Sequence, residues 1–153
     1  MQKGPQKRFD ESKILDRILY SVENSENILE QVVKILKEVT HYHWVGIYLV
    51  EGDNLVLKHF LGRPTEHTKI KIGQGICGAA VVDEQTIIVS DVSADNRYIA
   101  CSVETKSEIV VPIWKGDRII GEIDIDSDLP DAFAIEDKKM LEKIADVLGD
   151  TIQ

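Results

Sequence analysis

Glu108-Ile-Val-Val-Pro-Ile-Trp-Lys-Gly-Asp-Arg-Ile-Ile-Gly-Glu-Ile-Asp-Ile-Asp126 reads as two strands about a turn, and its reading decides the fold. The strands are Glu108 to Trp114 and Arg118 to Asp126, turned by Lys115-Gly116-Asp117. On the second strand a period of two places Glu122, Asp124 and Asp126 on one face and Ile119, Ile123 and Ile125 on the other. Isoleucines suit packing against helices, so the acids are directed to the opposite side. An odd-numbered turn puts Glu108 on the acidic face, and a two-residue turn reverses this.

Upstream, residues 90 to 107 form a long polar connection with Asp91, Asn96, Arg97, Tyr98 and Cys101, of the kind that carries function. Before it, Thr86 to Val89 reads as a strand, and Gly73 to Ala80 as small residues leading into a short helix that ends near Glu84. Trp44 to Val50 and Leu55 to Leu61 are strands about the turn Glu51-Gly-Asp-Asn54, followed by a short strand Lys69 to Ile72. Ile14, Leu15, Ile18, Leu19 and Val22 recur at helical spacing from Asp10. A second helix is expected from Ser25, its N-cap, with Ile28, Leu29, Val32, Val33, Leu36 and Val39, and a last one from about Ile135. Residues 1–9 read as a flexible tail of a single domain spanning 1–153. Hairpin-length connections imply an α+β domain: a mainly antiparallel sheet of about six strands with helices on one face. Loops then cover a small-molecule pocket on the other face.

Composition narrows the function. Of 153 residues, 43% are hydrophobic and 29% charged, as expected of a folded domain, and the formal net charge is −9. That charge disfavours nucleic acid and anionic membranes, which are held through clustered Lys and Arg. No apolar run is long enough to span a bilayer and no signal peptide is visible, so the expected location is cytoplasmic. The two cysteines and four histidines show no zinc spacing, and no metal is expected. His41 and His43 read as a water-exposed helix-to-strand connection.

Like charges across neighbouring strands repel by roughly 0.2–1 kcal/mol per pair, so the acidic face makes sense around a cation. An ammonium group needs no dedicated cage and fits better than a metal. Cys101, in its polar loop near Ser102 and Lys106, is unlike an inert core thiol. Cys77, between Gly75 and Gly78, reads either as a small buried residue or as a thiol activated by a helix N-terminus. Two intracellular cysteines that meet in space point to thiol exchange rather than a structural staple. Trp44 and Tyr48, four apart on a strand, share a face and are candidates with Tyr98 to line the pocket.

Four segments carry a family resemblance: Trp44-Val-Gly-Ile-Tyr48, Gly73-Gln-Gly-Ile-Cys-Gly78, Ile99-Ala-Cys with Ser107-Glu-Ile-Val-Val-Pro112, and Gly121-Glu-Ile-Asp-Ile-Asp-Ser127. With these, the chain resembles a GAF domain of the free methionine-(R)-sulfoxide reductase type from Ser25 to about Leu148. The resemblance implies a GAF-like fold and reduction of free L-methionine-(R)-S-oxide to methionine, with no bound cofactor and with thioredoxin or a similar dithiol as reductant. It implies that Cys101 attacks the sulfoxide sulfur and that Cys77 is a second redox cysteine. Glu108, Asp124 and Asp126 would hold the substrate ammonium and assist protonation of the sulfoxide oxygen, and Trp44 and Tyr48 would line the methyl-sulfur end.

One departure stands out. His67 occupies the place of a third cysteine found in many members, ten residues before Cys77. Either Cys77 then resolves Cys101 directly, or the external reductant attacks the sulfenic acid. The competing functions are a non-catalytic small-molecule sensor, ordinarily fused to an output domain for which this length leaves no room, and a dimerisation module. A homodimer through the first and last helices is compatible with all three.

Overall fold

The computed structural model describes residues 8–99 and 102–153. Its helices are α1 (Glu11–Asn24), α2 (Ile28–Lys37), α3 (Gly75–Asp83) and α4 (Ile135–Thr151). Its strands are β1 (Trp44–Glu51), β2 (Asn54–Leu61), β3 (Lys69–Lys71), β4 (Ile87–Val89), β5 (Ser107–Lys115) and β6 (Arg118–Ser127). They form one six-stranded sheet in the order β3-β2-β1-β6-β5-β4, antiparallel at every pairing. No helix among the described residues is long and apolar enough to cross a membrane.

Alternation along the strands divides the interior in two. Val45 and Ile47 of β1, Ile109, Val111 and Ile113 of β5, and Ile123 and Ile125 of β6 are buried with the apolar stripes of α1, α2 and α4. Trp44 and Tyr48 of β1, Val110 of β5, and Ile87 and Val89 of β4 project the other way. There they pack with Ile76, Cys77 and Ala80 of α3. The helices are therefore not all on one face as expected: α3 lies on the pocket side. It carries no amphipathic stripe of its own, and its small residues permit a close approach. A Cβ at Gly78 would stand 2.7 Å from the backbone nitrogen of Gly73.

Asp10 caps α1 by accepting the Lys13 N–H at 3.1 Å. Ser25 is not the N-cap of α2. It ends α1, and its hydroxyl accepts the Asn27 N–H at 3.2 Å, so α2 is capped at Asn27, two residues later than its sequence predicts. His41 is also a correction, because it is buried rather than water-exposed. Its Nε2 lies 2.6 Å from Oδ1 of Asp137, which also accepts the Tyr42 hydroxyl at 2.7 Å. The other Asp137 oxygen accepts the Ala134 N–H at 2.8 Å and a guanidinium N–H of Arg8. This network ties the start of the described chain and the β1 approach to the first turn of α4.

Candidate active site

The β5–β6 hairpin turns through two residues, with Lys115 paired to Arg118. That turn alone would place Glu108 on the helix-covered face. A register shift between Ile113 and Trp114 restores it to the other side, and Glu108 lies directly across from Asp126. One extra residue in a strand switches which side chains meet, and a bulge supplies it here. On the other flank of β6, Trp44, Gly46 and Tyr48 of β1 pair with Asp126, Asp124 and Glu122. Val89 of β4 pairs with Glu108. Four carboxyl groups thus share one face of the central strands, and all are at most 5% exposed.

Burial dominates their electrostatics. It pushes Glu108 well above the usual carboxylate range, helped by Asp124 and Asp126, to both of which Glu108 hydrogen-bonds. Burial also raises Asp126 and Asp124, with the Glu108 hydrogen bond partly opposing it in each. Glu122 is raised by burial, partly offset by the Cys77 thiol. Burial and proximity thus favour the neutral form of these carboxyls, and a neutral carboxyl is a proton donor. Among the described residues, Oδ1 of Asp124, Oδ1 of Asp126 and both Glu122 oxygens have no hydrogen-bond partner within bonding geometry. A cation entering the cluster meets unused acceptors.

Cys77, at the third position of α3, donates to Oδ2 of Asp124 at 3.3 Å. Its sequence position admits a thiol activated by the helix N-terminus, but burial, followed by Asp124, Glu122 and Glu108, pushes it well above the ordinary thiol value. Burial thus favours the thiol over the thiolate at Cys77 in the resting protein. Cys77, Glu108 and Asp124 form a group with ligand atoms within 4.8 Å of one another, the geometry a small divalent ion would use.

Trp44 and Tyr48 wall the acids, as their shared face predicts. The Trp44 ring lies over Gly46, where a Cβ would come within 2.3 Å of Cη2, and stacks on Phe60 with centroids 5.7 Å apart. Its Nε1 donates to the Arg63 carbonyl at 3.1 Å. Tyr48 donates its hydroxyl to the His67 carbonyl at 2.8 Å, so the third-cysteine position is tied to the pocket through its backbone. Tyr98 packs against the same apolar cluster. Trp44, Arg63, Pro64, Thr65, Thr105 and Asp126, with Ser102, line a small cleft. Cys101 lies outside the described residues. Ile99, two residues before it, reaches the position a Gly75 Cβ would occupy, at 2.9 Å, two residues before Cys77. Ser102, just after it, borders the Asp126 cleft.

Glu122 shares the acidic strand face in sequence, but only the packing shows it beside Cys77. Arg63 carries no sequence signal of a site and is revealed by the cleft, whereas Gly46 lies inside the Trp44–Tyr48 segment and its role shows only in the ring above it.

Glu122 allows a direct check of the cluster. Its folded pKa is raised, so the stability it permits is fully present below its unfolded value of about 4.3 and is lost as pH rises through the folded one. Glu122→Gln is expected to stabilise the protein by about 1 kcal/mol or more near pH 8 and by much less near pH 5 in urea unfolding. An equal gain at both values would contradict a buried titrating group.

Comparisons with known proteins agree with this geometry. The family model described as GAF domain matches residues 24–152. GAF domain-containing protein A of Dictyostelium discoideum is 42% identical over 88% of this chain and 85% of its own length. The free methionine-R-sulfoxide reductase of Saccharomyces cerevisiae is 34% identical over 92% of this chain and 87% of its own. The structure of free methionine-R-sulfoxide reductase from Neisseria meningitidis in complex with its substrate superposes with a TM-score of 0.90 at 34% identity, covering 97% of this chain and 92% of that one. With the fold, the buried acids and the aromatic wall in place, the chain belongs to the GAF domain family and, within it, to the free methionine-R-sulfoxide reductases.

Proposed function

We propose that this protein reduces free L-methionine-(R)-S-oxide to L-methionine. The observation that carries the reading is the buried set Glu108, Asp124 and Asp126 beside Cys77, walled by Trp44 and Tyr48, in a chain of this family. The substrate ammonium meets the unpartnered carboxyl oxygens, and its arrival draws protons out of the cluster. The methyl-sulfur end lies against the two aromatic rings.

The Cys101 thiolate attacks the sulfoxide sulfur while a neutral carboxylic acid of the cluster protonates the oxygen. Thiol and sulfoxide become sulfenic acid and thioether, a two-electron transfer with one oxygen passed from substrate to Cys101. The Cys77 thiol then attacks the sulfenic sulfur, water leaves, and a Cys77–Cys101 disulfide forms. Asp124, 3.3 Å from the Cys77 sulfur, is placed to take the thiol proton in that step. Thioredoxin or a similar dithiol reduces the disulfide by exchange. The contact of Ile99 on Gly75 supports the pairing, because it brings together the segments that carry the two cysteines.

The test is methionine formation from the purified protein, the free sulfoxide and dithiothreitol, with N-acetylmethionine-(R)-S-oxide in parallel. Acetylation removes the ammonium and leaves buried acids without a partner, so kcat/KM is expected to fall about 100-fold or more. Equal rates on both compounds would remove the ammonium role of the acids. An inactive protein that still binds an amino acid would favour the sensor.

A further inference from the structure

The free amino acid is a zwitterion, and the acid cluster accounts only for its ammonium. Its carboxylate needs a donor on the same cleft. Among the described residues that line the cleft, the only cationic side chain is Arg63; Pro64, Thr65, Ser102 and Thr105 are uncharged.

Arg63 is held ready for this role. Its Nη1 donates to Oδ2 of Asp128 at 3.0 Å and its Nη2 to Oδ1 at 2.5 Å, so one carboxylate fixes the plane of the guanidinium. Its carbonyl is fixed by the Trp44 indole at 3.1 Å. Gly62, just before it, has φ +131°, and a Cβ there would stand 2.8 Å from the His43 carbonyl. The two bonds to Asp128 use two of the five N–H donors of a guanidinium. Nε faces Glu104 at 3.9 Å, beyond hydrogen-bond reach, and the side chain is 40% exposed. A clamped, partly open cation with donors to spare thus borders a cleft that Asp126 of the acid cluster also lines.

We propose that Arg63 binds the α-carboxylate of the free amino-acid substrate, with Asp128 as the residue that positions it. The inference rests on the proposed sulfoxide reductase reading and deepens it. The acids and Arg63 then recognise the two charged ends of one zwitterion, and blocking either end is selected against.

The test compares L-methionine-(R)-S-oxide with its α-carboxamide, which keeps the ammonium and loses the carboxylate. Steady-state methionine formation is measured near pH 6.5, where both ammonium groups stay charged. The wild type is expected to prefer the acid by about tenfold in kcat/KM, carried by KM. In Arg63→Gln the acid loses about tenfold and the amide little, so the preference collapses towards one. Arg63→Lys restores part of it, and Asp128→Asn, which releases the guanidinium, lowers it. If Arg63 only braces its loop, Arg63→Gln lowers both compounds alike and keeps the preference. That result, or a wild type without a preference, overturns the proposal. A wild type that forms no methionine overturns the functional reading itself.

Discussion

Cys101→Ser is expected to abolish methionine formation, with a loss of about a thousandfold or more in kcat. Sulfoxide reduction takes two electrons from the attacking atom and leaves the oxygen on it. A thiol sulfur can be oxidised to a sulfenic acid, and a serine oxygen has no corresponding step. Cys77 is the poorer first nucleophile, because burial and then the surrounding carboxyls raise the pKa of its thiol, which donates to Asp124 until substrate draws protons from the cluster. Cys77→Ser has a different signature: the first methionine still forms, and later turnovers then depend on how fast an external dithiol reaches the sulfenic acid. The check is a single-turnover assay on each variant. Full activity in Cys101→Ser would transfer the attack to Cys77.

Asp137→Ala is expected to have the largest effect on stability, about 3–5 kcal/mol, although it lies outside the active site. The Asp137 carboxylate is 0% exposed and accepts from Tyr42, His41, Arg8 and the Ala134 N–H. Removing it strands four donors, two of them on the buried side chains of His41 and Tyr42, at the junction of the β1 approach with α4. Burial raises its pKa, but the hydrogen bonds from His41, the Ala134 N–H and Tyr42 outweigh this and hold the carboxyl below its ordinary value. Its contribution is therefore present above its unfolded pKa of about 3.9 and is lost as pH falls through the folded one. The acid cluster acts in the opposite sense, losing stability as pH rises. The two together place maximum stability on the acid side of neutrality, above the pH at which the Asp137 carboxylate is lost and below that at which the cluster ionises. Urea unfolding measures both effects, and a loss below about 1 kcal/mol in Asp137→Ala would contradict the network.

How far the sequence could be read depended on whether a signal was local. The alternation of Ile123 and Ile125 with Glu122, Asp124 and Asp126 is local, and it gave both sheet faces. The side taken by Glu108 is not local. A two-residue turn and a bulge near Trp114 act in opposite senses, and only their sum puts Glu108 opposite Asp126. The placement of α3 was hidden because its small residues carry no stripe to assign it to a face. His41 looked exposed because its partner, Asp137, is 96 residues away. Cys77 sits where a helix N-terminus favours a thiolate, yet burial, and after it carboxyls from two strands, reverse the effect. Arg63 is an ordinary loop arginine until its cleft closes around it.

The central claim is that Cys101 takes oxygen from free methionine sulfoxide and that Cys77 resolves it. Its most direct test is a single turnover without reductant. Fully reduced protein is mixed with excess L-methionine-(R)-S-oxide, and methionine, free thiols and the peptide linking the two cysteines are measured together. The account predicts one methionine released per chain, both thiols lost and a Cys77–Cys101 disulfide. No methionine, or methionine formed with the Cys101 thiol still free, would contradict it.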